Sequence, residues 1–246
     1  MVNSERFLQA FANIEKRLRR ITNCEKSVPF SQVVDRAAER DPVVRRYKDD
    51  LKEFADLRNA IVHERTDGHL IAEPNLQVVK EIERIDTLLT SPPKVLPLFR
   101  KEVAGVEADW PISRALALME SRAFSQLPVN RSGRFVGLLS ANTITRWLGA
   151  SVKDEIISLS ETKVGEVLRH IEDPENHVFL DKDASLFDIL ASFDDFERRG
   201  KPLDAILLTH SGKVGEGFLG LITMYDVPKI LAEIEPTSRR PRKAAA

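Results

Sequence analysis

Two stretches of this chain match each other in pattern: "GLLSANTITRWL" from Gly137 and "GLITMYDVPKIL" from Gly220. Repetition on this scale constrains the fold more than composition does. A unit this small cannot bury a core alone, so the two copies must pack together. Upstream of each copy lies a helical apolar stripe. Ile112, Ala115, Leu116 and Met119 in the first correspond to Leu186, Ile189, Leu190 and Phe193 in the second. The β-rich runs "FVGLLS", "DAILLTH" and "FLGLIT" fall between the helical pieces. Each copy reads as helix, strand, turn, strand, helix. Gly133 in "NRSGR" and Gly212 in "HSGKVGEG" supply the turn conformation, and the second copy has the longer loops.

The first part of the chain has a different texture. Leu8, Phe11, Ile14, Leu18 and Ile21 recur at helical spacing, and no glycine precedes Gly68. "VPFSQVV" starts a second helix after Pro29. "DPVVRRYKDDLKEFADLRNAIVH" predicts a third, with Asp41 as N-cap and Pro42 at the first helical position. "TDGHLIAEP" is a break, and "NLQVVKEIERIDTLL" is a fourth helix capped by Asn75. The adjacent prolines of "TSPPKVLP" end it and begin an extended linker. The expectation is therefore a multidomain chain: an all-α helical bundle over residues 1–90, a Pro-rich linker at 91–97, and an α/β pair over 98–232. The copies span about 98–150 and 160–232, and a basic, disordered tail spans 233–246.

Charge is high but balanced, with a formal net charge of -1, so no overall field points to nucleic acid or membrane. Cys24 is the only cysteine, which excludes an intrachain disulfide and a cysteine-based metal site. The opening "MVNSERFLQAF" lacks the pattern of a signal peptide, and no apolar run is long enough to span a bilayer. The expected setting is cytoplasmic, with no membrane partner, no metal and no required cofactor.

The phrase G-h-h-T-x-x-D-h (h for apolar), present in two versions, resembles the tandem cystathionine-β-synthase-type (CBS) domain pair called a Bateman module, over roughly residues 95–232. In that family the Asp takes the ribose hydroxyls of an adenine nucleotide, and the Thr and nearby backbone N–H groups take phosphate. The chemistry is reasonable, because a carboxylate accepts two hydroxyl hydrogen bonds and a helix start favours an anion. The resemblance implies a nucleotide site at Thr223 and Asp226. The first copy keeps a hydroxyl at Ser140 but has Thr143 where the Asp belongs, with Asn142 one position early. One good site and one weak or empty site are expected. The implied regulatory ligand is AMP, ADP, ATP or S-adenosylmethionine. The alternative is that Thr223 and Asp226 only cap the helix that follows.

The third predicted helix holds a different anomaly. On a wheel of about 100° per residue, Leu51, Phe54, Ala55, Leu57, Ile61 and Val62 form one apolar arc, and Arg58 falls near its centre. Asn59 and His63 lie together on its shoulder. An arginine there needs a partner, since burying an unpaired charge is costly. The candidates are a carboxylate such as Glu15 or Asp56, a second subunit, or a phosphate. Arg58, polar Asn59 and His63 resemble the R-x4-6-H motif of HEPN (higher eukaryotes and prokaryotes nucleotide-binding) domains, over about residues 4–90.

Many HEPN members are dimeric, metal-independent ribonucleases. In them a ribose 2'-hydroxyl attacks the adjacent phosphate and leaves a cyclic phosphate end. The resemblance implies His63 as acid/base, Arg58 as stabiliser of phosphoryl charge, and Asn59 as an orienting group. Lys16, Arg17, Arg19 and Arg20, with Arg45, Arg46 and Lys48, could track an RNA backbone or simply form solvated faces. The bland alternative for Arg58 and His63 is a structural ion pair and a helix-end histidine. His69, His170, His177 and His210 show no ligand spacing and read as surface or loop residues, while Trp110 and Trp147 read as packing.

Two readings follow. The first is a homodimeric endoribonuclease whose CBS pair senses an adenine nucleotide, acting on RNA in a stress or defence role. The second is a non-catalytic module in which the helical domain dimerises or recruits a partner and the CBS pair binds the nucleotide.

Overall fold

The computed structural model describes residues 2–63, 65–66, 69–70, 73–152 and 157–235. The chain divides into two compact units, Met1–Pro93 and Lys94–Ala246. The first is helical: α1 (Asn3–Thr22), α2 (Phe30–Ala38), α3 (Pro42–Arg46), α4 (Lys48–His63) and α5 (Leu76–Thr90), with a two-stranded antiparallel ladder of β1 (Arg65–Thr66) and β2 (His69–Leu70) before α5.

Helical spacing decides which faces meet. Phe7, Phe11, Ile14 and Leu18 bury one stripe of α1, and Val79, Ile82, Ile85 and Leu89 bury the matching stripe of α5, against which α1 packs. Each such side chain contributes about 1.5–3 kcal/mol relative to exposure. Arg6 donates twice to Glu83 (2.9 and 2.7 Å), clamping α1 to α5 and holding the Glu83 carboxyl below its ordinary range. The two expected caps are present. Asp41 Oδ1 accepts from the amides of Val43 and Val44 (2.9 and 3.2 Å), and Asn75 Oδ1 accepts from Val78 (3.0 Å).

Two local expectations need correction. The third predicted helix is not continuous, because the chain turns at Tyr47 (φ -104°, ψ 21°) between α3 and α4. Tyr47 is completely buried, its hydroxyl accepts from Arg84 Nη1 at 3.2 Å, and the Arg84 guanidinium lies 5.0 Å from its ring centre. Seating that ring decides where the helix breaks. The "TDGHLIAEP" break holds the short ladder of β1 and β2 among its described residues.

The second unit begins inside the stretch read as linker, with α6 (Leu96–Phe99). Then come β3 (Val106–Glu107), α7 (Ile112–Arg122), β4 (Gln126–Arg131), β5 (Arg134–Ser140), α8 (Ala141–Ala150) and α9 (Val164–Val167), the last followed by a 3-10 turn at Leu168–His170. The second copy follows: β6 (His177–Asp181), α10 (Leu186–Arg198), β7 (Ala205–Thr209), β8 (Gly220–Ile222), a 3-10 turn at Met224–Asp226 and α11 (Val227–Ile234). The repeat is exact in topology. β3 is parallel to β4 and β4 antiparallel to β5; β6 is parallel to β7 and β7 antiparallel to β8. The opening strand of each copy was absent from the sequence reading. β3 has two residues, too few for a periodicity. Ser132 (φ 52°) and Gly133 (φ 74°) make the tight turn between β4 and β5, as Gly133 led us to expect.

α11 reaches Ile234, so residues 233–234 are helical rather than tail, and 236–246 lie outside the described residues. Ile112, Ala115, Leu127, Leu139 and Trp147 build the core of the first copy. Leu138 of the first copy packs with Ala205, Leu207 and Leu221 of the second, so the copies share an apolar layer. His177 belongs to its edge and is not a surface residue. Its ring lies 4.9 Å from Phe135 and 5.6 Å from Phe179, Nδ1 lies 3.1 Å from Asn176 Oδ1, and burial lowers its pKa.

The segment leading into the first copy lies on the second. Val95 N–H donates to Ala184 (2.9 Å) and Lys101 N–H to Leu219 (3.1 Å). Where this strap crosses β8 the residue is Gly220, and a Cβ there would stand 2.4 Å from the carbonyl oxygen of Phe99. The glycine is a spacing requirement, and the strap carries residues 101–104 to the site described next. Among the described residues, no helix is long and apolar enough to cross a membrane.

Candidate functional site

Thr223 and Asp226 line a cleft of about 350 Å³ between the two copies, a size suited to a small ligand. Lys101, Val103 and Ala104 border it from the strap, and Arg122 and Phe124 from the end of α7. Tyr225, 87% exposed, stands at its rim. The left-handed conformation of Ala123 (φ 53°) ends α7 and turns the chain along the cleft wall.

The Thr223 amide and hydroxyl both donate to Asp226 Oδ2 (2.9 and 3.3 Å). This is a cap, as the bland reading held. It occupies one carboxylate oxygen only. Asp226 Oδ1 has no hydrogen-bond partner among the described residues, and the side chain is half-buried beside open space. Capping and ligand binding are therefore compatible: the cap uses one oxygen of a carboxylate whose residue lines the cleft. Lys101 and Arg122, both exposed, form no ion pair among the described residues, so two cations border the site, with the exposed Glu102 between Lys101 and Val103.

The first copy is built differently. Ser140 Oγ accepts from the Thr143 amide (3.2 Å) and lies 3.1 Å from Thr143 Oγ1, and both residues are buried. Each hydroxyl is satisfied by the other, and no carboxylate replaces Asp226. The segment before β6 crosses the start of α8, where Glu172 accepts from Asn142 Nδ2 (3.0 Å) and pairs with Arg146 (3.4 Å). Lys201 pairs with Asp173 and Glu175 (3.2 and 2.8 Å). The start of α8 is thus covered by the segment before β6 through Glu172, unlike the cleft at Asp226.

In the helical unit, Arg58 is half-buried on α4 and its Nη1 donates to Asn59 Oδ1 at 3.2 Å. Among the described residues neither carboxylate considered from sequence pairs with Arg58. Glu15 is held by Arg19 (2.9 and 2.7 Å), and Asp56 makes no bond to Arg58. Arg58 and Asn59 line a groove of about 590 Å³ between α1, the loop after it, and α4. His63 ends α4, and its side chain lies outside the described residues. Three members of the basic clusters are tied down within the unit. Arg19 also donates to the carbonyls of Glu25 and Val28 (2.6 and 3.1 Å), Arg45 to that of Ala38 (3.1 Å), and Lys48 pairs with Asp35 (2.7 Å). Trp147 is core, and Trp110 packs against it beneath Arg114, 3.4 Å from the ring centre.

Lys101, Arg122 and Phe124 had no sequence signal, since they come from a strap and a loop remote from the motif. Tyr225 had one, because it stands between the Thr and the Asp of the repeated phrase.

The family model for the CBS domain matches residues 96–150. The rest of the C-terminal unit is of the same α/β type, strand for strand. No curated protein matches the chain in sequence. Among solved structures, it is similar to a CBS domain-containing protein of unknown function from Kribbella flavida, with 16% identity, TM-score 0.42, and 57% of this chain and 99% of that one covered. It is also similar to CbpB solved with c-di-AMP (17%, TM-score 0.43, 63% and 93%). A third is the CBS domain of a bacterial CNNM/CorC family Mg2+ transporter solved with ATP (19%, TM-score 0.41, 63% and 96%).

Proposed function

We propose that the C-terminal unit is a regulatory module that binds one adenine nucleotide in the cleft at Thr223 and Asp226. The observation that carries this reading is the capped Asp226 carboxylate with one oxygen left for ribose hydroxyls, in a cleft bordered by Lys101 and Arg122. Phosphate goes to those cations, and the apolar wall at Val103 and Phe124 takes the base. The first copy contributes no second site, because Ser140 and Thr143 satisfy each other. Calorimetric titration with AMP, ADP, ATP and S-adenosylmethionine tests the reading. One site per chain is expected, weakened about 10–100-fold in Asp226→Ala, as the loss of charged hydrogen bonds of about 1.5–3 kcal/mol implies. Wild-type protein that binds none of the four sinks it.

A second reading adds activity to the helical unit. It is favoured by Arg58, a half-buried guanidinium with no carboxylate partner among the described residues, beside Asn59 at an open groove. In this reading the unit is a HEPN-like, metal-independent endoribonuclease that works as a homodimer, with Arg58 stabilising phosphoryl charge, Asn59 orienting and His63 as acid/base, and the nucleotide sets its rate. His63→Ala is expected to slow cleavage of RNA in EDTA by about 10²–10⁴-fold without changing the melting temperature. Equal cleavage by both proteins, or none by either, rejects the enzyme and leaves the binding module.

A further inference from the structure

We infer that the groove at Arg58 is a subsite for one nucleotide of single-stranded RNA, with Phe30 as the wall for its base and Lys26 and Arg58 as partners of its phosphate. The inference rests on the ribonuclease reading and gives its substrate a place.

The charges around the groove decide the matter. Arg19, Lys26, Lys52 and Arg58 face it, as do Glu15 and Asp56. Three of these six are already committed. Arg19 spends its guanidinium on Glu15 and on the carbonyls of Glu25 and Val28. Those two bonds pin the loop after α1 and hold Lys26 at the rim. Lys52 pairs with Asp35 at 2.8 Å. Among the described residues Lys26, Arg58 and Asp56 form no ion pair, two cations against one exposed carboxylate. Arg58 makes a hydrogen bond to a neutral amide, which orients the guanidinium without neutralising it. A half-buried guanidinium held this way matches a phosphate better than it matches water, because its planar fork can give two parallel hydrogen bonds.

The aromatic wall selects a nucleotide over a bare anion. Phe30 is half-buried, with its ring centre 4.8 Å from that of Phe11, which is in the core. The ring is braced from behind at the edge of a groove large enough for one nucleotide. Aromatic faces of this kind stack bases without sequence preference, and neighbouring cations take the backbone. Single-stranded RNA satisfies both walls at once, whereas an acidic peptide satisfies only the cations.

The test is fluorescence anisotropy of labelled single-stranded oligo(A) and oligo(U) with the full chain carrying His63→Ala, beside a cleavage assay of the otherwise wild-type protein. Lys26→Ala and Phe30→Leu are each expected to weaken binding about 5–10-fold, while Lys80→Ala on α5 leaves it unchanged. Lys26→Ala is also expected to reduce the salt slope by about 1. Melting curves matching the parent show that the groove variants fold. Undiminished binding in Lys26→Ala and Phe30→Leu overturns the subsite even if the wild type cleaves RNA. Binding lost in those variants, with no cleavage by wild type, upholds the subsite and rejects the ribonuclease. Binding of polyglutamate but not RNA, lost in Lys26→Ala, overturns the inference in favour of an acidic protein partner.

Discussion

Tyr47→Ala is expected to destabilise the helical unit by about 3–5 kcal/mol, the cost of truncating a buried aromatic side chain. The residue is completely buried at the junction of α3 and α4, and its hydroxyl and ring both engage Arg84, which also pairs with Glu81 at 2.7 Å. Truncation leaves a cavity and strips Arg84 of one partner at the same position. Tyr47→Phe separates the two effects. It keeps the ring and loses the hydroxyl acceptor, for about 1.5–3 kcal/mol. Hydrogen exchange read by mass spectrometry on peptides from α1 and α5 measures the change in this unit, since neither tryptophan lies in it. Equal protection in Tyr47→Ala and wild type would mean that the ring is not what holds the junction.

Gly220→Ala is the counterpart in the second unit. The added methyl would meet the Phe99 carbonyl at 2.4 Å, well inside contact, so the strap or β8 must move. Overpacking of this kind costs about 1–3 kcal/mol. Gly149→Ala is the control. It lies in α8 with nothing within 4 Å of the added atom, and alanine there is expected to stabilise by about 1 kcal/mol. Trp110 and Trp147 both report on this unit, so urea unfolding followed by fluorescence reads the two variants directly. The strap continues into Lys101, Val103 and Ala104 at the cleft, so Gly220→Ala is also expected to weaken nucleotide binding although it touches no ligand. Matching midpoints for the two variants would show that the strap is not seated on β8.

The long helices α1 and α5, the caps at Asp41 and Asn75, the turn at Gly133 and the duplication of the second half were legible in the sequence. Each is a local matter. A helical stripe, an N-cap side chain and a left-handed turn residue are decided within a few positions along the chain. The Thr223–Asp226 pair was legible for the same reason, its cap spanning three residues. The two opening strands, β3 and β6, were not, since a parallel strand declares itself only through its partner. Nor was the break at Tyr47. Helical periodicity runs straight through it, and the burial of one ring overrides it.

The deeper decisions belong to tertiary structure. Sequence placed Arg58 on an apolar face and required a partner for it. Only packing revealed that Glu15 is taken by Arg19, which leaves Arg58 to Asn59 and a groove. Sequence also named Asp226 without saying whether it capped or bound. The fold puts its cap on one oxygen and the residue at the wall of a cleft. Lys101 and Arg122 reach that space from segments more than a hundred residues away, brought there by the strap over Gly220 and the end of α7. Local hydrogen bonds and periodicity are encoded over a few residues and can be read from them. Which charged groups remain unspent depends on every neighbour the fold brings near, and that sum exists only in three dimensions.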